Sequence, residues 1–261
     1  AGGRLQHKNI VTFYDVGVYD DQPFIAMEYI KGETLGEVIR RKAPLALDRK
    51  LKLMEELCDG LGYAHDEGLI HRDIKPDNLM VTEGSGDLKI LDFGIARMRD
   101  LTGLTQAGGI IGTLSYMSPE QAQGRPLDHR TDIFAVGAVL YELLTYRRAF
   151  PDRGLRVALQ DTLVPVTQLT SSFDPALDEI VERAMAPDPA HRYQQLHELA
   201  ERLAAVRTEM HASTRLQADQ QQADLVGGEL RAAVDAAQIE KYLSSATTQL
   251  EQGHLENALA L

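Results

Sequence analysis

The apolar positions of this chain change period as the sequence proceeds, and the changes mark its elements. Ile10–Val18 and Pro23–Ile30 are short runs rich in β-branched and aromatic residues, joined through Asp20-Asp21-Gln22. They read as two strands and a turn. A helix follows over Leu35–Arg41. From Asp48, a candidate N-cap, a longer helix runs to Asp66, with Leu51, Met54, Leu57, Cys58, Leu61 and Ala64 on one stripe. The segment His71–Asn78 cannot be helical, because Pro76 disfavours helix and pushes Lys75 before it into an extended backbone. Leu79–Val81 and Leu88–Leu91 read as a short hairpin around Gly84-Ser85-Gly86. Helical spacing returns at Asp128–Leu144, Leu155–Asp161, Pro175–Met185 and Gln194–Thr208.

A small strand-bearing piece followed by a mostly helical one makes an α+β chain. Composition then divides it. All ten prolines lie at or before Pro189, the last phenylalanine is Phe173, and Tyr242 is the one aromatic residue after residue 206. We therefore expect a globular domain over 1–206, a polar helical linker over 207–240 that breaks at Gly227-Gly228, and a further helical segment over 241–261. The net charge of −12 argues against a nucleic-acid partner, whose phosphates want a basic surface. The single cysteine, Cys58, excludes an intrachain disulfide and fits a reducing, cytoplasmic setting. No apolar run reaches the length of a membrane span and no signal peptide is visible; the first residue is Ala1, as in a fragment.

The chemistry lies in two strings. His71–Asn78 reads HRDIKPDN, and Asp92-Phe93-Gly94 follows 19 positions after Asp73. One carboxylate can accept the proton of an attacking hydroxyl, while an amide and a second carboxylate can hold Mg²⁺ on ATP phosphates. A lone Asp-Phe-Gly would mean little. Both strings, in this order and followed by Ser118-Pro119-Glu120, resemble the catalytic core of a eukaryotic-type protein kinase, and more closely a bacterial Ser/Thr kinase.

That resemblance implies a kinase-like fold, with part of a strand-bearing N-terminal lobe, a mainly helical C-terminal lobe and a helical tail. It implies transfer of the γ-phosphoryl group of Mg²⁺-ATP to Ser/Thr hydroxyls of a protein substrate. Asp73 would be the catalytic base, Lys75 would neutralise charge on the moving phosphoryl group, and Asn78 and Asp92 would ligate the metal. Thr113, in the substrate-docking segment Gly112–Glu120, would bond Asp73 and Lys75. Met27 would guard the back of the adenine pocket, the backbone of Glu28 and Ile30 would bond the adenine edge, and Met80 would lie under the purine. His71 and Phe93 would stack in the core with Phe13 as the next tier. Glu120 would pair with Arg192, and Asp132 would hold the backbone of the HRD loop. Arg72, with Thr102 or Thr105 phosphorylated, would order the intervening loop.

The match covers about residues 5–206. A phosphate-covering Gly-rich loop, a strand lysine and its helix glutamate belong before Leu5-Gln6-His7-Lys8-Asn9-Ile10-Val11, and Lys8 and Lys31 do not stand in their context. The chain as given is therefore expected to be inactive on its own. From Tyr242 the sequence resembles the start of a tetratricopeptide repeat, with Tyr242, Ala246, Gly253 and Ala258 at matching spacings, which implies protein partners for the tail. A different class remains open: a scaffold that binds nucleotide or partners without transferring phosphate.

Overall fold

The computed structural model describes residues 5–19, 22–93, 114–150 and 163–251. Two antiparallel strands, β1 (Phe13–Tyr19) and β2 (Gln22–Met27), form a two-stranded sheet with a register irregularity between Phe13 and Asp15. A second sheet follows, in the order β3 (Gly32–Thr34), β4 (Leu79–Thr82), β5 (Leu88–Ile90), all antiparallel. The β4–β5 hairpin matches the expected one. β3 was not anticipated: Gly-Glu-Thr carries no apolar alternation, and its register against Met80–Thr82 is set by backbone pairing.

Thr34 ends β3 and caps helix α1 (Leu35–Arg40) through a capping box, its hydroxyl accepting from the Glu37 amide while Glu37 Oε2 accepts from the Thr34 amide. Helix α2 (Leu47–Asp66) buries the expected stripe of Leu51, Met54, Leu57, Cys58, Leu61 and Ala64. Its N-cap is Ala46, with no side-chain cap bond, so Asp48 does not cap it. Asp48 stands in the first helical turn instead, where a carboxylate favours the positive end of the helix dipole. Burial pushes the Cys58 thiol well up, so it packs as a small apolar side chain. Gly60 is where α2 meets the strand leading to Asp92: a Cβ there would lie 2.8 Å from Ile90 Cδ1 and 3.1 Å from Asn9 Cβ. The N-terminal segment is stitched to the same strand, with the Asn9 side-chain amide donating to Leu88 O at 2.8 Å and Val11 N to Ile90 O at 3.0 Å.

Four further helices follow in the first body: α3 (Pro119–Ala122), α4 (Arg130–Thr145), α5 (Val166–Leu169) and α6 (Ala176–Ala184), the last packed on α4. Thr131–Leu144 of α4 is buried throughout, so this helix is the centre of the core. The approach of α6 depends on Gly137, where a Cβ would come within 2.8 Å of the Ala184 Cβ. The expected helix Leu155–Asp161 lies outside the described residues.

The chain forms two compact units, residues 1–207 and 208–261. Helix α7 spans Leu196–Glu251, so the break expected at Gly227-Gly228 does not occur. Two glycines cost a helix about 1 kcal/mol each relative to alanine, and the Ala-, Gln-, Glu- and Leu-rich flanks outweigh that locally. Within the second unit Leu216, Leu225, Ile239, Tyr242 and Leu243 are exposed. Tyr242 and Ala246 sit in the unbroken helix, whereas Gly253 and Ala258 lie outside the described residues. Among the described residues no helix is long and apolar enough to cross a membrane.

Candidate active site

The HRD loop leaves α2 and is held from below by one buried carboxylate. Asp132, at the start of α4, accepts from the backbone amides of His71 and Arg72 and from His65 Nε2, each at 2.8 Å. Burial alone would raise its carboxyl, but the His65 hydrogen bond and the neighbouring imidazoles and amide outweigh it and hold it low. His71 is fully buried; its Nε2 donates to Leu91 O at 2.7 Å and its Nδ1 accepts from Asp73 N at 3.3 Å. The imidazole also meets the Phe93 ring edge-on, centroids 4.7 Å apart. One side chain thus fastens the HRD loop to the segment just after β5 that carries Asp92. Phe13 packs partly buried against the core.

Above this floor the polar groups converge on Asp73. Its Oδ2 accepts from Lys75 Nζ at 2.9 Å and from Asn78 Nδ2 at 3.1 Å, and Asn78 Nδ2 also donates to Asp73 O at 2.7 Å. Pro76–Asn78 form a single 3₁₀ turn, entered from an extended Lys75 as Pro76 demands. Among the described residues Asp73 Oδ1 takes no hydrogen bond, so this half-buried oxygen is the acceptor left over. Arg72 and Asp92 both adopt left-handed backbones, with φ of 66° and 63°. Such conformations are costly for residues other than glycine and are kept where surrounding bonds over-determine them.

Met27 ends β2, Met80 lies in β4 opposite Lys89 and Thr34, and Ile30 follows the exposed Tyr29; Met27, Met80 and Ile30 are half-buried. The Glu28 amide donates to Thr12 O at 2.8 Å, and among the described residues the Ile30 amide has no hydrogen-bond partner. Glu28 also pairs with Lys89 Nζ at 2.9 Å. Burial pushes the Glu28 carboxyl up, and the Lys89 and Thr12 bonds more than reverse this, leaving it below its usual value. Of the expected Glu28 contacts to an adenine, its amide is therefore already engaged within the chain. Lys89 was not anticipated, because nothing in its sequence surroundings distinguishes it from an exposed strand lysine.

The segment around α3 is anchored by Glu120 and Arg192, which meet through two hydrogen bonds of 2.7 and 2.8 Å, with Thr131 Oγ1 donating to Glu120 at 2.8 Å. Arg192 is 1% exposed and also donates to the carbonyls of Ala186, Arg130 and Pro187. Gln121 reaches across from the same segment to Arg72 O at 2.8 Å. It escaped the reading of the motif, although Ser118-x-x-Gln121 is a legible capping box. Thr113, Thr102 and Thr105 lie outside the described residues.

Comparison with known proteins agrees with this architecture. The protein kinase domain family model matches residues 2–215. A probable serine/threonine-protein kinase of Clostridium acetobutylicum is 36% identical over 211 residues, 79% of this chain and 32% of that protein. The serine/threonine-protein kinase PknB of Mycolicibacterium smegmatis is 38% identical over 205 residues, 75% and 33%. A probable serine/threonine-protein kinase of Streptomyces coelicolor reaches 42% over 210 residues, 76% and 31%. The chain therefore spans about a third of the length of the curated relatives it matches. As a family these domains use ATP and a divalent cation and act on protein substrates. With an α+β body, an HRD loop closed on its aspartate and this match over most of its length, the chain belongs to the protein kinase domain family.

Proposed function

We propose that this chain is the catalytic core of a serine/threonine protein kinase that moves the γ-phosphoryl group of Mg²⁺-ATP to protein hydroxyls. The observation that carries the reading is the arrangement at Asp73. Lys75 and Asn78 hold one carboxylate oxygen and leave the other for the hydroxyl of an incoming Ser or Thr. Phosphoryl transfer asks the protein chiefly for positioning and charge compensation. Asp73 orients the nucleophile and accepts its proton as the O–P bond forms. Lys75, already within reach, spreads positive charge toward the transferred group.

The donor set also fits the metal. The Nδ2 of Asn78 is spent on Asp73, so its amide oxygen is the atom left for a cation. With the carboxylate of Asp92 that makes two hard oxygen donors. Among the described residues no group of three or more His, Cys, Asp or Glu forms a self-sufficient cage. Mg²⁺ suits such a site, since it takes one or two protein ligands and completes its shell with phosphates and water. When bound it supplies charge compensation on the phosphate oxygens.

For the nucleotide, Met27 and Met80 offer apolar surface to a purine, and the Ile30 amide, without a partner among the described residues, offers a donor to its edge. Thr113, Thr102 and Thr105, which lie outside the described residues, keep the roles the resemblance implies, the first as a partner of Asp73 and Lys75 and the other two as phosphate acceptors. The names of the relatives support the Ser/Thr choice, as does Lys75 two residues after Asp73. The test is transfer of label from radiolabelled ATP to a generic basic protein by the full gene product, followed by phosphoamino-acid analysis. Phosphoserine or phosphothreonine that vanishes in Asp73→Asn is the expected result. Absence of transfer, or transfer indifferent to that substitution, overturns the reading.

A further inference from the structure

The structure assigns to Gln121 a positioning role: its amide couples the substrate-side segment to the peptide unit that carries Asp73. The inference rests on the reading of Asp73 as the hydroxyl acceptor. Gln121 is the third residue of α3 and its side chain faces two ways. Oε1 accepts from the Ser118 amide at 3.0 Å, while Nε2 donates to Arg72 O at 2.8 Å. The amide orientation follows from its partners, since a flip would set donor against donor and acceptor against acceptor.

Arg72 O belongs to the peptide unit joining Arg72 to Asp73. The opposite end of that unit, Asp73 N–H, donates to His71 Nδ1 at 3.3 Å. Arg72 N–H donates to Asp132 Oδ1. The left-handed backbone of Arg72 is therefore held by side chains from three elements: Asp132 from α4, His71 from the loop itself and Gln121 from α3. Of these, Gln121 alone stands next to the segment Gly112–Glu120 that the resemblance assigns to substrate docking, directly following Glu120 in α3. A displacement of Ser118–Gln121 would reach the Asp73 carboxylate through one amide. Gln121 also lines, together with Asp73, Tyr116 and Met117, a small cavity beside the loop.

A bland reading competes. Glutamine at the third position of a Ser-capped helix completes a capping box, and the Arg72 bond is then incidental. Glutamate separates the two. It serves the capping box as well as glutamine does, but it presents an acceptor to Arg72 O, where no hydrogen bond can form. Alanine removes both bonds.

The experiment measures kcat, KM for ATP and the thermal midpoint of the full gene product as native, Gln121→Glu and Gln121→Ala, with Asp73→Asn as the control on the parent reading. Coupling predicts that both Gln121 variants lose kcat on the order of tenfold at unchanged KM for ATP, and that the midpoint falls only in the alanine variant. Native kcat in Gln121→Glu overturns the inference while leaving the kinase reading intact. So does a loss of kcat that merely follows a fall in midpoint in both variants. Transfer that survives Asp73→Asn removes the parent reading and this one with it.

Discussion

The guanidinium of Arg192 meets the carboxylate of Glu120 at two points, Nη1 to Oε1 at 2.7 Å and Nη2 to Oε2 at 2.8 Å, across 72 residues of sequence. Neither side chain has much water around it, so the pair specifies where the substrate-side segment sits more than it adds net stability. Removing one partner is a different matter. Glu120→Ala leaves a buried guanidinium with backbone carbonyls and the Phe134 ring but no counter-charge among the described residues, and should cost about 3–5 kcal/mol. Urea titration of native and variant chains reads this directly. A difference near the ~1 kcal/mol typical of an exposed pair would show that the segment relaxes and hydrates the arginine.

The same pair and its neighbour set the acid limit. Burial would raise Glu120, but the Arg192 bonds hold its carboxyl below the ordinary 4.5; Asp132, likewise buried and then bonded by His65, stays below 3.8. A carboxyl lowered by folding contributes stability that is complete above its unfolded value and disappears as pH falls through the folded one. The contribution of these two carboxyls should therefore hold steady above about pH 5 and fall away below pH 4.5. Asp132→Asn should flatten the lower part of that descent while lowering the plateau, because its amide nitrogen would face one of the two N–H donors, His71 at the Oδ2 position or Arg72 at the Oδ1 position. An unchanged acid limb in Asp132→Asn would contradict the assignment.

Asp73 and Asp92 should fail differently. If Asp73 orients the hydroxyl as proposed, Asp73→Asn should leave nucleotide affinity nearly native while kcat drops by roughly 10²–10⁴-fold. Asp92→Ala should weaken binding of the metal nucleotide itself, since a charged oxygen donor is lost. Titrating ATP in the presence of Mg²⁺ against both variants discriminates. Equal loss of affinity in the two would refute the division of roles.

Much of this geometry was legible beforehand, and the reasons are local. In HRDIKPDN each residue is constrained by a proline, a catalytic requirement or a backbone bond, so order in the sequence translates into order in space. The Glu120–Arg192 pair and the Asp132 bonds to the loop stand where the resemblance put them. What escaped was held by the backbone or by reach. β3 is three polar residues with no periodic signal, and Gly227-Gly228 looks like a break until its helix-forming flanks are weighed. Asp48 had the right chemistry for a cap at the wrong position. Lys89 and Gln121 matter through partners 61 and 49 residues away, which no local pattern announces.

We propose a loop switch at Arg72, as the resemblance implies. Its neighbour is Asp73, and Thr102 and Thr105 lie between Gly94 and Ser118 in a stretch holding Gly103, Gly108 and Gly109. A phosphate on either threonine brings roughly −1.5 to −2 charge and oxygens that a guanidinium can take at two points. Mass spectrometry of the active gene product should find phosphate there, and Thr102→Ala/Thr105→Ala should lower activity by about tenfold or more. Full activity in the double variant with an unmodified loop would sink the switch.

Tyr116 and Glu142 offer the cleanest test of a buried charge in this core. The Tyr116 hydroxyl donates to Glu142 Oε2, and Arg148 Nε stands 3.8 Å from the other oxygen. Burial pushes the Tyr116 hydroxyl far up, and the Glu142 carboxylate beside it adds to the effect. Burial likewise raises the Glu142 carboxyl above 4.5, and the Tyr116 bond and Arg148 offset only part of this. The sign is opposite to that at Glu120. A carboxyl raised by folding contributes stability below its unfolded value and loses it as pH rises through the folded one. Above its unfolded value Glu142 is thus a net cost to the fold. Glu142→Gln keeps an acceptor for Tyr116 and removes the charge, so at pH 7 it should melt no lower than the native chain. Its advantage should vanish as pH drops below about 4.5. Tyr116→Phe does the reverse, stripping the carboxylate of its buried donor at about 1–3 kcal/mol. Melting midpoints of both variants from pH 4 to 8 check this, and Glu142→Gln as unstable at pH 7 as Tyr116→Phe would mean that the charge, not the hydrogen bond, holds the pair together.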